Sequence, residues 1–116
     1  MIEKIGVDIS ENSRFIDIIK DKKCYEKILS PTEIMVFENF SYEKRKMEYL
    51  ASRFSAKEAL FKACNKKFNF NEVSILNHED GSPYIEANFL DGYITHVSIS
   101  HEKAYSIAFV ILEQRK

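Results

Sequence analysis

The chain has 116 residues and a formal net charge of −1 at pH 7; 45% of its residues are hydrophobic and 30% are charged. These values are typical of a soluble globular protein, and we expect residues 1–116 to form one domain. The near-neutral charge argues against nucleic acid or an anionic membrane surface as the partner. There is no signal-peptide pattern, no apolar run long enough to span a bilayer, and no metal or redox spacing of Cys24 and Cys64. We therefore predict a cytoplasmic protein with reduced thiols.

The N-terminal segment alternates apolar and polar residues, which predicts a β-strand. Ile5, Val7 and Ile9 give this strand one apolar face. Asp8 points to the other face, beside Gly6, a residue that leaves room for a close approach. The ordinary interpretation of Asp8 is a solvated residue near a strand end, and the local pattern alone favours it.

A helix is predicted next, from Arg14 to about Leu29, after turn and N-cap residues at positions 11–13. Its later part is rich in lysine: Lys20, Lys22, Lys23 and Lys27. Lysines at the C-terminal end of a helix are usually solvated, and their positive charges interact favourably with the helix dipole. The alternative is a docking patch for an acidic partner.

Ser30-Pro31-Thr32-Glu33 is the clearest local signal, because Ser caps a helix, Pro takes its first position and Glu reaches back to the cap. We expect a short helix here that buries three apolar residues, Ile34, Met35 and Phe37. Ser41 is then predicted to cap a long helix over residues 42–64.

This long helix is apolar on two sides, which is typical of a buried helix with different neighbours on each side. One face carries only small residues, Ser52, Ala56, Ala59 and Ala63, and allows another element to approach closely. Roughly opposite lie Leu50, Phe54 and Phe61. Glu58 lies between the faces, where a carboxylate is costly unless a cation pairs with it. The ordinary alternative is a surface pair between Glu58 and Lys62.

After Asn65 the hydrophobic period changes to two. We predict strands around residues 73–76, 83–87, 96–100 and 105–111, with turns at 78–81, 91–92 and 101–104. The second half is therefore antiparallel β, and the first half is mostly helical after one strand. This order predicts an α+β fold with a sheet packed against the long helix.

Three short segments occur in a specific order. Gly6-Val7-Asp8-Ile9 is followed by Arg14; Arg53-Phe54-Ser55-Ala56-Lys57-Glu58-Ala59 is followed by Lys62-Ala63; and Val97-Ser98-Ile99-Ser100-His101 opens the last hairpin. In this order and spacing they resemble the holo-[acyl-carrier-protein] synthase family, the small bacterial 4′-phosphopantetheinyl transferases. The resemblance covers essentially the whole chain and implies the α+β fold of that family, an antiparallel sheet packed against a long central helix.

The family's reaction moves 4′-phosphopantetheine from coenzyme A to a serine of an acyl carrier protein and releases adenosine 3′,5′-bisphosphate, a step of fatty acid biosynthesis. The resemblance implies that Asp8 and Glu58 hold Mg²⁺ against the coenzyme A pyrophosphate, which suits an ion that prefers carboxylate and phosphate oxygens. Lys62 is implied to stabilise the leaving group. Glu58, a metal-bound water and Lys62 all remain candidates for the base that deprotonates the serine.

The resemblance also implies residues for the adenine nucleotide. Arg53 and His101, with Ser100 beside it, match positions near the 3′-phosphate. Gly81-Ser82-Pro83 matches a turn along the nucleotide that the family usually writes Gly-Lys-Pro, so Ser82 removes one possible phosphate contact. Glu102 stands where the family often has Thr; its carboxylate should point away from the phosphate, or affinity should be lower.

Family members assemble as trimers with shared active sites, and the resemblance implies a homotrimer here. We expect exposed aromatic residues, for example Phe68 and Phe70, to cover an interface. Arg14 matches the family's docking arginine, and the positive patch for the acidic carrier is completed by three lysines, Lys20, Lys22 and Lys23.

The sequence is also compatible with two other hypotheses. One is a non-catalytic module that binds an acidic partner protein through its basic helices, but such a module does not need a carboxylate like Glu58 beside a buried face. The other is an enzyme of this fold that has lost activity through the departures at Ser82 and Glu102; the metal-binding and leaving-group residues argue against it.

Overall fold

The computed structural model describes residues 1–115, and its α+β architecture agrees with the predicted fold class. Its strands are β1 (Ile2–Glu11), β2 (Ser74–Asn77), β3 (Pro83–Glu86), β4 (Tyr93–His101) and β5 (Tyr105–Gln114). Its α-helices are α1 (Lys22–Tyr25), α2 (Pro31–Glu38) and α3 (Glu43–Cys64). Short 3₁₀ segments cover Asn12–Phe15, Ile18–Lys20, Phe70–Glu72 and Asn88–Leu90. Within the described residues no helix is both long and apolar enough to cross a membrane.

A three-stranded antiparallel sheet in the order β1-β5-β4 packs against α3, and β2 and β3 form a separate hairpin. The small face of α3 lies against β1, as expected. The contact is so close that a Cβ on Gly6 would come within 1.9 Å of the carbonyl oxygen of Ala59. Gly6 is therefore required for the approach of strand and helix, and this approach sets the position of Asp8.

Two hydrophobic clusters flank α3. The first joins the small face of the helix to β5 and the β2–β3 hairpin, and includes Ala56, Leu60 and Val110. The second lies towards α2 and the segment after β1, and includes Leu50 and Phe37. A helix with neighbours on two sides is what the residue pattern predicts.

The segment after β1 is not the single helix that we predicted for residues 14–29. It is broken into two 3₁₀ turns and the four-residue helix α1. The break falls at Asp21, which has an extended backbone (φ −123°, ψ 104°) and whose side chain accepts a hydrogen bond from the backbone N–H of Lys23. The Asp side chain thus starts a new helix, which competes with continuation of the old one.

Two smaller expectations were also wrong. Met35 on α2 is 72% exposed, whereas Phe37 is fully buried and Ile34 is half-buried. The N-cap of α3 is Tyr42, which makes no side-chain capping bond, so Ser41 is not the cap. The predicted Ser30 capping box of α2 is present with both of its hydrogen bonds.

The apolar face of β1 is turned away from the helix. Ile5, Val7 and Ile9 are 59%, 44% and 60% exposed. They pair with residues of β5 that face the same way, Ile111, Phe109 and Ile107. We call these six residues the outer sheet face. The two aromatic residues expected at an interface, Phe68 and Phe70, are instead half-buried and stacked on each other with ring centroids 5.5 Å apart.

Candidate active site

Asp8 is held against α3 by the residues on either side of it. Two residues before it, Gly6 packs on Ala59. Two residues after it, the hydroxyl of Ser10 accepts a hydrogen bond of 2.7 Å from Ser55. The Asp8 side chain is only 15% exposed. Its Oδ2 accepts from the Ser10 hydroxyl at 3.4 Å, and its Oδ1 lies 3.2 Å from Lys62 Nζ.

Glu58 belongs to the same flank of α3 as Lys62, since residues four apart on a helix lie one above the other. Because Ser55 and Lys62 both contact the Asp8 region, Glu58, which lies between them along the helix, faces the same edge. Its side chain is half-buried. Lys62 Nζ also donates to the carbonyl of Val7 at 3.0 Å, so the lysine is anchored on β1 rather than on Glu58. The ordinary Glu58–Lys62 surface pair is therefore not the arrangement seen.

Asp8 contacts Lys62 directly, and Glu58 lies on the same flank of α3 as Lys62. We call these three residues the acidic face. Among residues 1–115 no group of three or more His, Cys, Asp or Glu side chains is placed to hold a metal ion. An ion bound at two carboxylates would need further oxygen ligands from water or from a bound phosphate.

A separate cleft of about 410 Å³ gathers four of the residues predicted to bind the nucleotide. Arg53, Gly81, Pro83 and His101 line it, together with other residues that include Arg45 and Asn77. We call it the basic cleft. The volume lies in the range usual for small-molecule sites, about 300–1,000 Å³.

Arg53 is the most constrained residue of the basic cleft. It is 7% exposed and stacks on Tyr49, with its guanidinium carbon 4.2 Å from the ring centroid. Its nitrogens donate to the carbonyl of Ile75, the hydroxyl of Ser52 and, at 2.7 Å, the side-chain oxygen of Asn77. Burial lowers the pKa of Arg53 from its ordinary value. A guanidinium has five N–H donors, so these three bonds leave capacity for a ligand.

His101 and its neighbours lie at the end of β4. His101 Nδ1 is 3.8 Å from Oε2 of Glu48. Ser100 is exposed and lines a smaller neighbouring cavity rather than the basic cleft. The Glu102 carboxylate accepts from the backbone N–H of Ala104 at 3.2 Å, so it is held within its own turn.

The turn at residues 78–83 presents backbone to the basic cleft. Gly81 has φ +91°, a conformation that favours glycine. Ser82 does not line the cleft; its hydroxyl donates to Asp80 at 2.6 Å, and this hydrogen bond lowers the pKa of Asp80. The residue that replaces the family's lysine is therefore used to fix the turn.

The predicted docking residues are exposed on the segment between β1 and α2. The Arg14 guanidinium lies over the ring of Phe54, 5.1 Å from its centroid. Lys20 and Lys22 each have an acidic neighbour, Glu43 at 3.7 Å and Glu38 at 3.8 Å. The patch is thus less positive than its lysine count indicates.

The sequence interpretation missed a fully buried ion pair between Lys57 and Glu33. Lys57 Nζ donates to the Glu33 carboxylate, to the carbonyl of Ile28 at 2.7 Å and to the carbonyl of Phe70 at 2.9 Å. Glu33 also accepts from the backbone N–H of Ile75 at 2.8 Å. Burial lowers the pKa of Lys57, and the nearby carboxylate opposes that shift. The position of Lys57, next to Glu58 on a helix with two apolar faces, was the sequence feature that could have indicated its burial.

Comparison with known proteins identifies the family. Residues 4–110 match the 4′-phosphopantetheinyl transferase superfamily. The chain is 39% identical over 118 residues to a holo-[acyl-carrier-protein] synthase of Acholeplasma laidlawii, covering 99% of each chain. It is 43% identical over 118 residues to the synthase of Staphylococcus saprophyticus, covering 97% of this chain and 99% of the relative.

A solved structure supports the same conclusion. The holo-(acyl-carrier-protein) synthase of Bacillus anthracis, in complex with CoA (3′,5′-ADP), superposes with a TM-score of 0.90 at 34% identity over 99% of each chain. The resemblance inferred from three short segments is confirmed. The chain belongs to the holo-[acyl-carrier-protein] synthases, enzymes of the 4′-phosphopantetheinyl transferase superfamily.

Proposed function

We propose that this chain carries out its family's reaction, transfer of 4′-phosphopantetheine from coenzyme A to a serine of an apo acyl carrier protein, at the acidic face with Mg²⁺. The serine hydroxyl gives its proton to a base, with Glu58, Lys62 and a water molecule as the candidates. Its oxygen attacks the phosphorus that bears the pantetheine arm, the anhydride bond breaks, and adenosine 3′,5′-bisphosphate leaves. One observation carries this proposal: the Asp8 side chain is only 15% exposed and contacts Lys62 on the flank of α3 that also carries Glu58. Such a reaction supplies the holo carrier for fatty acid biosynthesis. We also propose that the protein is cytoplasmic and that residues 1–116 form a single domain.

The residues of the acidic face fit Mg²⁺. Two carboxylates supply hard oxygen donors, and the ion takes its other ligands from water and phosphate. When bound, the ion neutralises negative charge on the pyrophosphate. Lys62, 3.2 Å from Asp8, donates to the same phosphates once they are bound, and stabilises the leaving bisphosphate.

The basic cleft is proposed to bind the adenine nucleotide. Arg53 supplies positive charge for the 3′-phosphate and His101 a ring nitrogen for hydrogen bonding to it, and the backbone of the Gly81–Pro83 turn runs along the nucleotide. Ser100 borders this region. Arg53 is pre-organised by its fixed hydrogen bonds, so little conformational entropy is lost when a phosphate binds.

We propose that the site is shared between copies in a homotrimer. Glu58 of the acidic face lines one cavity, and Arg53 and His101 of the basic cleft line another. The outer sheet face, with Ile5, Ile9 and Phe109 at 59%, 60% and 41% exposure, is an apolar surface of the kind that monomeric proteins rarely leave uncovered.

The shared site is tested by mixing two inactive variants. Asp8→Asn disables the acidic face, and His101→Ala the basic cleft. Co-refolding the two in equal amounts should restore part of the wild-type activity, because some sites then combine two intact halves. No restoration, with a trimer present by light scattering, would show that each site belongs to one chain.

The acidic carrier is proposed to dock on Arg14 and the lysines of the following segment, Lys20, Lys22 and Lys23. A surface patch mainly accelerates encounter and sets orientation. The pure binding-module alternative has less support, because Lys20 and Lys22 already have acidic neighbours within the chain. Charge reversal at Arg14 should raise the KM for the carrier and leave coenzyme A binding unchanged.

Intact-mass spectrometry tests the reaction directly. The protein is mixed with an apo carrier, coenzyme A and Mg²⁺, and again with a chelator. The carrier should gain one phosphopantetheine only when metal is present. Asp8→Asn and Glu58→Gln should lose this activity and bind Mg²⁺ more weakly by calorimetry in the presence of coenzyme A. The exposed Glu86→Gln is the matched control and should behave like wild type; normal turnover by either site variant would refute the metal assignment.

A further inference from the structure

Asn12, the first residue after β1, is buried against the turn that joins β4 to β5. Its side-chain nitrogen donates hydrogen bonds to the backbone carbonyls of Glu102 at 3.0 Å and Lys103 at 3.3 Å. Its backbone N–H donates to the carbonyl of Ala104 at 2.7 Å. Three consecutive carbonyls of the turn therefore converge on one residue. We call Asn12 with residues 101–104 the asparagine clamp.

The orientation of the Asn12 amide is fixed from the other side. Its oxygen accepts a hydrogen bond of 2.7 Å from the hydroxyl of Ser106, which is fully buried, so the NH₂ group faces the turn. Ser106 is the residue of β5 that pairs with His101 of β4. A displacement of the turn would leave a buried polar atom without a partner, which is costly. The clamp thus specifies one position for the turn.

His101 depends on this turn for its own position. It is the last residue of β4 and lines the basic cleft. Its side chain is 43% exposed, and its Nδ1 lies 3.8 Å from the Glu48 carboxylate, beyond hydrogen-bond distance. The position of the imidazole is therefore set mainly by the backbone that carries it, and the asparagine clamp holds that backbone.

We propose that Asn12 is a positioning residue for His101, and that it thereby sets the preference of the enzyme for a nucleotide with a 3′-phosphate. This role rests on the proposed binding of that phosphate in the basic cleft. Asn12 is buried and its donors and acceptor are used within the chain, so it acts through the turn rather than on the ligand. A fixed imidazole loses little conformational entropy when it binds the phosphate.

Calorimetry on the whole protein with two ligands tests this role. Coenzyme A carries the 3′-phosphate, and dephospho-coenzyme A lacks only that group. The measured quantity is the ratio of the two dissociation constants, which a purely structural role would leave unchanged. In Asn12→Ala the preference for coenzyme A should fall about tenfold, because a hydrogen bond to a charged group is lost. Asn71→Ala is the matched control: Asn71 is exposed, and its amide donates to the carbonyl of Glu26 at 3.3 Å.

A double-mutant cycle tests the route through His101. His101→Ala should lower the same preference, and adding Asn12→Ala to it should lower it no further, because the two residues act through one contact. A further fall in the double variant would show that Asn12 acts by another route. Ser106→Ala frees the Asn12 amide and should lower the preference at least twofold. It replaces Asn12→Ala, with the same criterion, if that variant lacks a cooperative thermal transition.

The outcomes separate this proposal from the function on which it rests. An unchanged preference in Asn12→Ala with lowered thermal stability overturns the proposal and leaves the asparagine clamp a purely structural feature. A wild-type protein that binds both ligands equally refutes the phosphate assignment of the basic cleft, and this proposal with it. A wild-type protein that discriminates between the ligands but transfers nothing to the carrier refutes only the proposed reaction.

Discussion

Removal of the buried ammonium group in Lys57→Met should be the most destabilising change in the helical half of the molecule. The variant leaves the Glu33 carboxylate buried without its cation, and leaves the carbonyls of Ile28 and Phe70 without their donor. Breaking a buried pair from one side costs about 3–5 kcal/mol. Since the free energy of unfolding of a domain is about 5–15 kcal/mol, this is a large share of it. The midpoint of thermal unfolding should fall by roughly 10–20 °C.

Urea denaturation followed by circular dichroism measures this cost, at one protein concentration because assembly also affects stability. Lys57→Met combined with Glu33→Gln removes both charges and should be more stable than Lys57→Met alone. Lys20→Met is the control: Lys20 is 58% exposed beside Glu43, and its loss should change stability by less than about 1 kcal/mol. A cost below about 1 kcal/mol for Lys57→Met would refute the view that this pair holds α2, α3 and the segment around Phe70 together.

Three further predictions concern packing, titration and assembly. Gly6→Ala places a Cβ 1.9 Å from a carbonyl oxygen of α3 and should lower the free energy of unfolding, measured by urea denaturation, by about 1–3 kcal/mol or more. Gly92→Ala is the control, because its Cβ meets no atom within 4 Å, and it should change this free energy by less than about 0.5 kcal/mol. A hydrogen bond to Glu38 raises the pKa of Tyr25 to about 12, and burial raises that of Tyr49 to about 12. Unfolding therefore releases protons between pH 10 and 12, and stability should fall as the pH rises through that range, which ultraviolet titration of native and urea-unfolded protein checks. Phe109→Asp puts a charge on the outer sheet face and should give monomers by light scattering; an unchanged trimer would show that this face is not the interface.

Local signals in the sequence were sufficient for much of the fold. The Ser30 capping box lies within four residues, so its pattern fully determines the start of α2. The alternation in β1 likewise predicted the strand and placed Asp8 and Gly6 on one face. The break at Asp21 was missed because the hydrophobic pattern of residues 14–29 predicts one continuous helix. The hydrogen bond that the Asp21 side chain accepts from Lys23 starts a new helix instead.

Features that depend on distant partners could not be read from the sequence in this way. The burial of Lys57 was not predicted, because its partner Glu33 is 24 residues away and meets it only in the folded chain. The family resemblance implied two sets of candidate residues but not the contacts that their side chains make. The structure divides them into two groups, with Asp8 in one and Arg53 in the other.

The position of Asp8 and the apolar outer sheet face have one physical origin. Side chains along a strand alternate between the two faces of the sheet, so Asp8 can lie against α3 only if Val7 and Ile9 point the other way. β5 follows the same rule, and pairs Phe109 with Val7 on the outer side. The close approach at Gly6 that fixes the carboxylate beside the helix therefore also commits this strand to an exposed apolar face. Covering that face with another copy removes apolar area from water and, in the proposed trimer, brings a second chain towards the site. Activity and assembly are thus expected to be lost together in Phe109→Asp, although Phe109 and Asp8 lie on opposite sides of the sheet.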